Sequence, residues 1–165
     1  PPGGLVFASF VQRWKLNPIM WAPWTNALRR VPRSVLWLLQ HPLDASDPPP
    51  PEGFALSALL RAELGGGVHS RRLVVMGRQP LEWHVRRTGL ADLIVDTWPY
   101  TAHTTLADAV WRDGAPWLAL GASEDRMDSL LSSACLASAG ALPLVTHSLR
   151  GFEDMAVALS GTPIR

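Results

Sequence analysis

Leu93-Ile94-Val95-Asp96-Thr97-Trp98-Pro99-Tyr100-Thr101-Ala102-His103-Thr104-Thr105-Leu106-Ala107-Asp108 is the stretch that decides the fold. Residues 93–96 open with three apolar side chains and no polar alternation, the pattern of a strand buried on both faces of a parallel sheet. A polar loop follows. A helical pattern then runs over 104–113 and is closed by Gly114, and a second apolar run covers 116–120. Strand, loop, helix and strand in that order make a βαβ unit.

The rhythm continues in both directions. Residues 5–9 read as a first strand, and Asn17-Pro18 supplies an N-cap followed by proline at the first helical position. The helix this opens carries Trp21, Trp24, Leu28 and Val31 near helical spacing and stops before Pro32. A second strand is expected at 34–39, a helix at 54–64 ending in Gly65-Gly66-Gly67, a third strand at 73–77 and a short helix at 81–87. Beyond the deciding stretch come a helix at 126–139, a short strand at 144–145 and a last helix at 152–159. Residues 42–53 form a Pro-rich loop insertion, in which Pro48-Pro49-Pro50-Pro51 favours polyproline II and excludes helix or central strand. That insertion reads as a stiff connector. No repeat is visible at a period of about 20–50 residues. The expectation is an α/β domain over 1–165 with a Rossmann-like, doubly wound parallel sheet.

Composition agrees and excludes several function classes. The chain has 165 residues, the size of one ordinary domain, and its 47% hydrophobic content against 18% charged residues argues against disorder. A net charge of +1 gives no electrostatic case for nucleic-acid binding. Lys15 is the only lysine. Cys135 is alone, which excludes an internal disulfide and a Cys-rich zinc site, and His41, His69 and His147 are scattered without metal-ligand spacing. No metal site is expected. No run approaches the ~18 apolar residues of a membrane span, so no membrane partner is expected. The chain opens Pro1-Pro2-Gly3-Gly4 with no initiator Met and no secretory signal, which reads as a cut inside a longer protein.

In open α/β sheets ligands bind beyond the carboxyl ends of the strands, where strand order reverses. Three segments at such positions are polar in an organised way. Thr104 and Thr105 stand at a helix start, where free N–H groups and the positive end of the helix suit a phosphate or diphosphate. Asp108 lies one turn on, on the same face as Thr104, placed to accept from a sugar hydroxyl. A threonine at an N-cap and an aspartate in a first turn would also stabilise any helix. After the first strand, Gln12, Arg13 and Lys15 offer an ammonium that can follow charge building on a leaving phosphate, or a solvated surface lysine. In residues 79–89, His84 and Arg87 share a helical face, so the imidazole can stack on a base while the guanidinium binds phosphate or orients the loop. A lone helical histidine is more often structural. Asp92 and Asp96 share a face of the buried strand pattern, without suggesting a metal pair. Phosphate-loop, metalloprotease and nucleophile-elbow motifs are absent.

Together these segments resemble a known family. His84-Val85-Arg86-Arg87-Thr88-Gly89-Leu90-Ala91-Asp92, then residues 93–97, then His103-Thr104-Thr105-Leu106-Ala107-Asp108, resemble the donor-binding half of the protein O-linked N-acetylglucosamine transferases. Residues 31–39 and 10–18 are similar to the same family, and the similarity continues more weakly through Gly121, Arg126 and residues 152–156, so it is collinear over nearly the whole chain. The resemblance implies the carboxy-terminal lobe of a two-domain GT-B glycosyltransferase, preceded in the parent protein by tetratricopeptide repeats. It implies transfer of N-acetylglucosamine from UDP-GlcNAc to Ser/Thr hydroxyls of cytoplasmic or nuclear proteins, with no metal and no other cofactor. By the same resemblance, Gln12 and Lys15 face the diphosphate, with Lys15 stabilising the departing UDP. Gln79 and Leu81 line the uracil pocket, His84 packs on the uridine and Arg87 shapes the pocket. His103, Thr104 and Thr105 hold the diphosphate, and Asp108 binds the ribose. Leu81 stands where the family commonly has lysine, and Val11 replaces the usual asparagine beside Gln12. The acceptor cleft belongs to the other half of the catalytic domain, so this chain alone is expected to bind UDP without turnover. Another UDP-sugar enzyme of GT-B fold, including an adhesin glycosyltransferase or an epimerase, and a degenerate binding or scaffold module are the alternatives.

Overall fold

Six parallel strands form one sheet in the order β3-β2-β1-β4-β5-β6: β1 (Val6–Ser9), β2 (Val35–Gln40), β3 (Leu73–Gly77), β4 (Leu93–Val95), β5 (Trp117–Leu120) and β6 (Val145–Thr146). This is the Rossmann-like α/β architecture expected from the sequence. The computed structural model describes residues 4–40, 68, 70–110, 114–121 and 126–161. The Pro-rich insertion at 42–53, the helix expected at 54–64, the three-glycine turn and residues 111–113 lie outside the described residues.

The central strands are buried along their whole length because helices cover both faces of the sheet. Alternation along each strand sorts side chains between two cores. Phe7, Leu36, Leu38, Leu93, Val95, Leu118 and Leu120 meet Trp24 and Leu28 of α1 (Pro18–Arg30) and Phe152 of α5 (Leu149–Ser160). Ala8, Ile94, Trp117 and Ala119 face the other way, onto Leu106 and Ala109 of α3 (Thr104–Val110) and Leu136 of α4 (Met127–Ser138). A shorter helix, α2 (Leu81–Thr88), follows β3.

Polar anchors fix α1 at both ends. Asn17 Oδ1 accepts from the Met20 N–H at 3.2 Å, as an N-cap should, while its Nδ2 donates to the Trp98 carbonyl at 2.7 Å and ties the helix start to the β4 loop. At the other end Arg72 donates to the carbonyls of Leu28, Val31 and Ser34 at 2.6, 2.7 and 2.8 Å, and the first of these is an acceptor that the helix terminus leaves open. Between helices, the buried Glu153 accepts from Asn26 at 3.0 Å and from Arg30 at 2.7 Å, which joins α5 to α1.

The boundaries differ from expectation at a few places, each with a local reason. The last helix begins at Leu149, three residues before the expected start, because Ser148 Oγ caps it by accepting from the Gly151 N–H at 3.0 Å. A glycine in the first turn hides that start. The sixth strand is Val145–Thr146, one residue later than expected, because Leu142–Leu144 form a 3-10 turn. β4 stops at Val95, so Asp92 and Asp96 flank the strand instead of lying within it. Asp92 Oδ2 accepts from the Val6 N–H at 2.8 Å, and Asp96 turns inward to bind its own loop. No helix among the described residues is long and apolar enough to cross a membrane.

Candidate functional site

Strand order reverses between β1 and β4, and a polar cavity opens there, at the carboxyl ends of β1 to β4. It holds about 400 Å³, with Phe10 and Leu39 among its apolar lining. Nine of the ten residues that the resemblance assigns to the donor site line it. Gln12 and Lys15 come from the turn after β1; His103, Thr104, Thr105 and Asp108 come from the end of the β4 loop and α3; Gln79, Leu81 and His84 come from the β3 loop and α2.

The wall between β1 and β4 is polar and rigid. Lys15 is buried; its Nζ donates to the Thr101 carbonyl at 2.8 Å and lies 4.2 Å from the centre of the Tyr100 ring. Burial lowers its pKa, and the nearby Asp96 carboxylate works against that fall. Gln12 is held in the same turn, since its carbonyl accepts from the Lys15 N–H at 2.9 Å and its Oε1 from Trp14 Nε1 at 2.6 Å. His103 stacks on Tyr100 with ring centres 4.9 Å apart, and its Nε2 is buried with no hydrogen-bond partner. Because α3 starts at Thr104, both threonines sit in its first turn, not at the capping position. Their N–H groups face out of the helix end, with Asp108 one turn behind Thr104.

Asp96 organises this wall from below. It is fully buried, and Oδ1 accepts from the Thr97 N–H at 2.8 Å and the Ala102 N–H at 3.0 Å, folding the loop back on itself. Burial pushes its carboxyl up to about 6, against the pull of its hydrogen bonds. The far side of the loop is fastened to α4, where Ser132 Oγ donates to the Ala102 carbonyl at 2.9 Å and Thr101 donates to the Asp128 carbonyl.

Arg87 does not line the cavity. It is buried at 5% exposure, with Nη1 donating to the Gly77 carbonyl at 3.0 Å and Nη2 to His84 Nδ1 at 2.7 Å. Of the two roles open to it in the sequence, phosphate binding or loop orientation, its contacts match the second. A guanidinium only donates, so His84 Nδ1 is the acceptor and the ring proton sits on Nε2. The His84 ring meets Phe10 edge-on at 5.5 Å.

Sequence reasoning passed over Phe10, Trp14, Leu39, Arg78 and Tyr100 as site residues, all of which line the cavity. The signal was available for two of them. Phe10 and Arg78 are the first residues past the ends of β1 and β3, where the strand-end rule directs attention. Among the described residues no group of three His, Cys, Asp or Glu side chains comes together to hold a metal ion.

Comparison with known proteins gives a consistent result. The sequence profile of glycosyl transferase family 41 matches residues 1–164. An Arabidopsis thaliana protein described as a probable UDP-N-acetylglucosamine–peptide N-acetylglucosaminyltransferase SEC is 32% identical over 160 residues, covering 97% of this chain and 15% of the relative. A Caenorhabditis elegans UDP-N-acetylglucosamine–peptide N-acetylglucosaminyltransferase is 28% identical over 159 residues, covering 96% of this chain and 13% of the relative. Among solved structures, a mutant Thermobaculum terrenum O-GlcNAc transferase superposes with a TM-score of 0.84 at 26% identity, over 98% of this chain and 29% of that one. The chain therefore spans a small part of the length of each of these relatives.

Proposed function

The chain belongs to glycosyl transferase family 41, and from that premise we propose that it is the donor-binding lobe of a protein O-GlcNAc transferase, holding UDP-GlcNAc in the cavity at the β1/β4 crossover. The observation that carries this reading is the convergence there of Lys15, the first turn of α3 and Asp108. The diphosphate lies against Lys15, His103 and the Thr104 and Thr105 N–H and hydroxyl groups, and Asp108 accepts from the ribose hydroxyls. The uridine extends toward Gln79, Leu81 and His84.

In the transfer step the acceptor Ser/Thr oxygen bonds to the sugar C1 as the bond from C1 to the diphosphate oxygen breaks. UDP leaves with that electron pair. Lys15, the helix end and the two hydroxyls take up the negative charge that develops, and this donor set is the reason to propose that no divalent metal is required. The acceptor is a cytoplasmic or nuclear protein seated by the second lobe of the enzyme, which also supplies the base that takes the hydroxyl proton. The 165-residue chain accordingly binds UDP and does not turn over.

A calorimetric titration of the chain with UDP, against ADP and GDP and with Lys15→Ala as control, tests the reading. Selective binding of UDP that Lys15→Ala weakens supports it. A folded chain that ignores UDP overturns it.

A further inference from the structure

The cavity reaches from the end of β3 to the end of β4, across three strand-to-strand steps. At about 4.8 Å per step that is roughly 14 Å, and its two ends differ chemically. The β1/β4 end carries Lys15, His103 and the first turn of α3. The β3 end carries Arg78, Gln79 and Leu81, with His84 beyond. A nucleoside diphosphate with its phosphates at the first end lays its base at the second.

Arg78 is an exposed guanidinium at that second end, and among the described residues it makes no hydrogen bond or ion pair. Lys15, by contrast, already spends a donor on the Thr101 carbonyl. The backbone beside Arg78 is fixed, because the buried Arg87 holds the Gly77 carbonyl and the His84 ring with one guanidinium. Leu81, 65% exposed next to it, adds apolar cover without a competing charge or acceptor.

We propose that Arg78 is a specificity-determining residue that reads the base of the bound nucleotide, donating to a carbonyl oxygen on the edge of a pyrimidine. This rests on the nucleotide reading of the same cavity. A guanidinium has five N–H donors and no acceptor. At the 4-position of the base, where the proposal places it, it matches the O4 carbonyl of uracil and opposes the amino group that cytosine presents there. Uracil is selected over cytosine by the sign of one hydrogen-bonding group.

The experiment is a calorimetric titration of the 165-residue chain with UDP, CDP and inorganic diphosphate at fixed salt, repeated for Arg78→Ala and Arg78→Gln. Thermal unfolding of each variant is followed in parallel. The parent is expected to prefer UDP over CDP by about tenfold or more, the scale of one good base contact. Arg78→Ala should bring the two within about twofold of each other, chiefly by weakening UDP, and leave diphosphate affinity unchanged. Arg78→Gln, which can donate or accept, should fall between. An unchanged UDP:CDP ratio in Arg78→Ala overturns the proposal, and so does an equal loss for all three ligands, which would make Arg78 a phosphate contact. A chain that binds UDP selectively with or without Arg78 leaves the donor-lobe reading standing while this one fails. A chain that binds none of the three overturns both.

Discussion

Lys15 Nζ donates to the Thr101 carbonyl oxygen at 2.8 Å, joining two residues 86 positions apart across the point where the strand order reverses. The contact links the turn after β1 to the loop after β4, and it places the only lysine of the chain against the Tyr100 ring, beside His103 and the start of α3. The ammonium thus has a structural partner before any ligand arrives. It still has two further N–H donors for an incoming oxygen.

Lys15→Ala should therefore act on stability and on binding together. Losing a buried, charge-assisted hydrogen bond and the contact with Tyr100 is expected to lower the unfolding free energy by about 1–3 kcal/mol. UDP affinity should fall by at least about tenfold, since a cation facing the diphosphate is removed. Urea unfolding and calorimetry on the same preparation separate the two effects. Stability that drops while UDP binding stays intact would leave Lys15 as a brace for the loop and nothing more.

Asp96 predicts a pH dependence of definite sign. Its folded carboxyl sits near 6 against an ordinary value of 3.8, because burial disfavours the charge. Between roughly pH 4 and pH 6 the folded chain keeps a proton that the unfolded chain has released, so this group makes stability fall as pH rises through that window and adds no slope above it. The difference of about 2 units corresponds to roughly 3 kcal/mol in total. Asp96→Asn should abolish that slope while its amide oxygen still accepts from the Thr97 and Ala102 N–H groups. Urea midpoints of parent and variant measured at several pH values give the comparison, and parallel curves would refute the assignment.

Arg87 holds Gly77 and His84 in place from beneath the site. Arg87→Lys should not substitute for it, because one ammonium cannot span the two acceptors that the guanidinium fork reaches. Either Arg87→Lys or Arg87→Ala is expected to cost about 1–3 kcal/mol, because the guanidinium no longer bridges the Gly77 carbonyl and the His84 ring. Nitrogen NMR of the imidazole provides the check. The parent should show His84 with its proton on Nε2, and both variants should lose that single tautomer.

Arg72 ties the end of α1 to the approach to β2, through the carbonyls of Leu28, Val31 and Ser34. Burial lowers its pKa from the usual guanidinium value, and a guanidinium has donors only, so its role here is as a donor to those carbonyls. Arg72→Ala should cost about 1–3 kcal/mol, chiefly by leaving the Leu28 carbonyl at the helix end without this donor. Hydrogen exchange should show faster opening of the last turn of α1, with the β4 and β5 amides protected as before. Uniform acceleration across the sheet would mean that Arg72 supports the whole fold instead.

The alternation of buried strand and capped helix was legible from composition and spacing. Residues 93–95 and 117–120 have no polar member because both faces of the sheet are covered, and Asn17-Pro18 marks a helix start by local backbone chemistry alone. The start of α5 was not legible, since Gly151 sits in its first turn and only the Ser148 cap reveals it. At the site, the sequence itself pointed to Gln12, Arg13, Lys15, His84, Arg87, Thr104, Thr105 and Asp108, and the family resemblance added Gln79, Leu81 and His103. The Arg13 side chain lies outside what the structure describes, Arg87 is not in the cavity lining, and nine residues remain. All nine line one cavity.

Sequence by itself determined what depends on neighbours in the chain: strand burial patterns, helix caps, the polar loop after β4 and the exclusion of a disulfide within these 165 residues. Tertiary structure alone decided which way each long side chain turned. Arg87 points beneath the site toward Gly77, Asp96 folds inward to hold its loop, Lys15 reaches Thr101, and Arg78 stands at the open end of the cavity. The physical reason is that a side chain's partners are fixed by strand order. β3, β2, β1 and β4 become neighbours through crossovers that no local pattern encodes, and only then do residues 86 positions apart come within hydrogen-bonding distance.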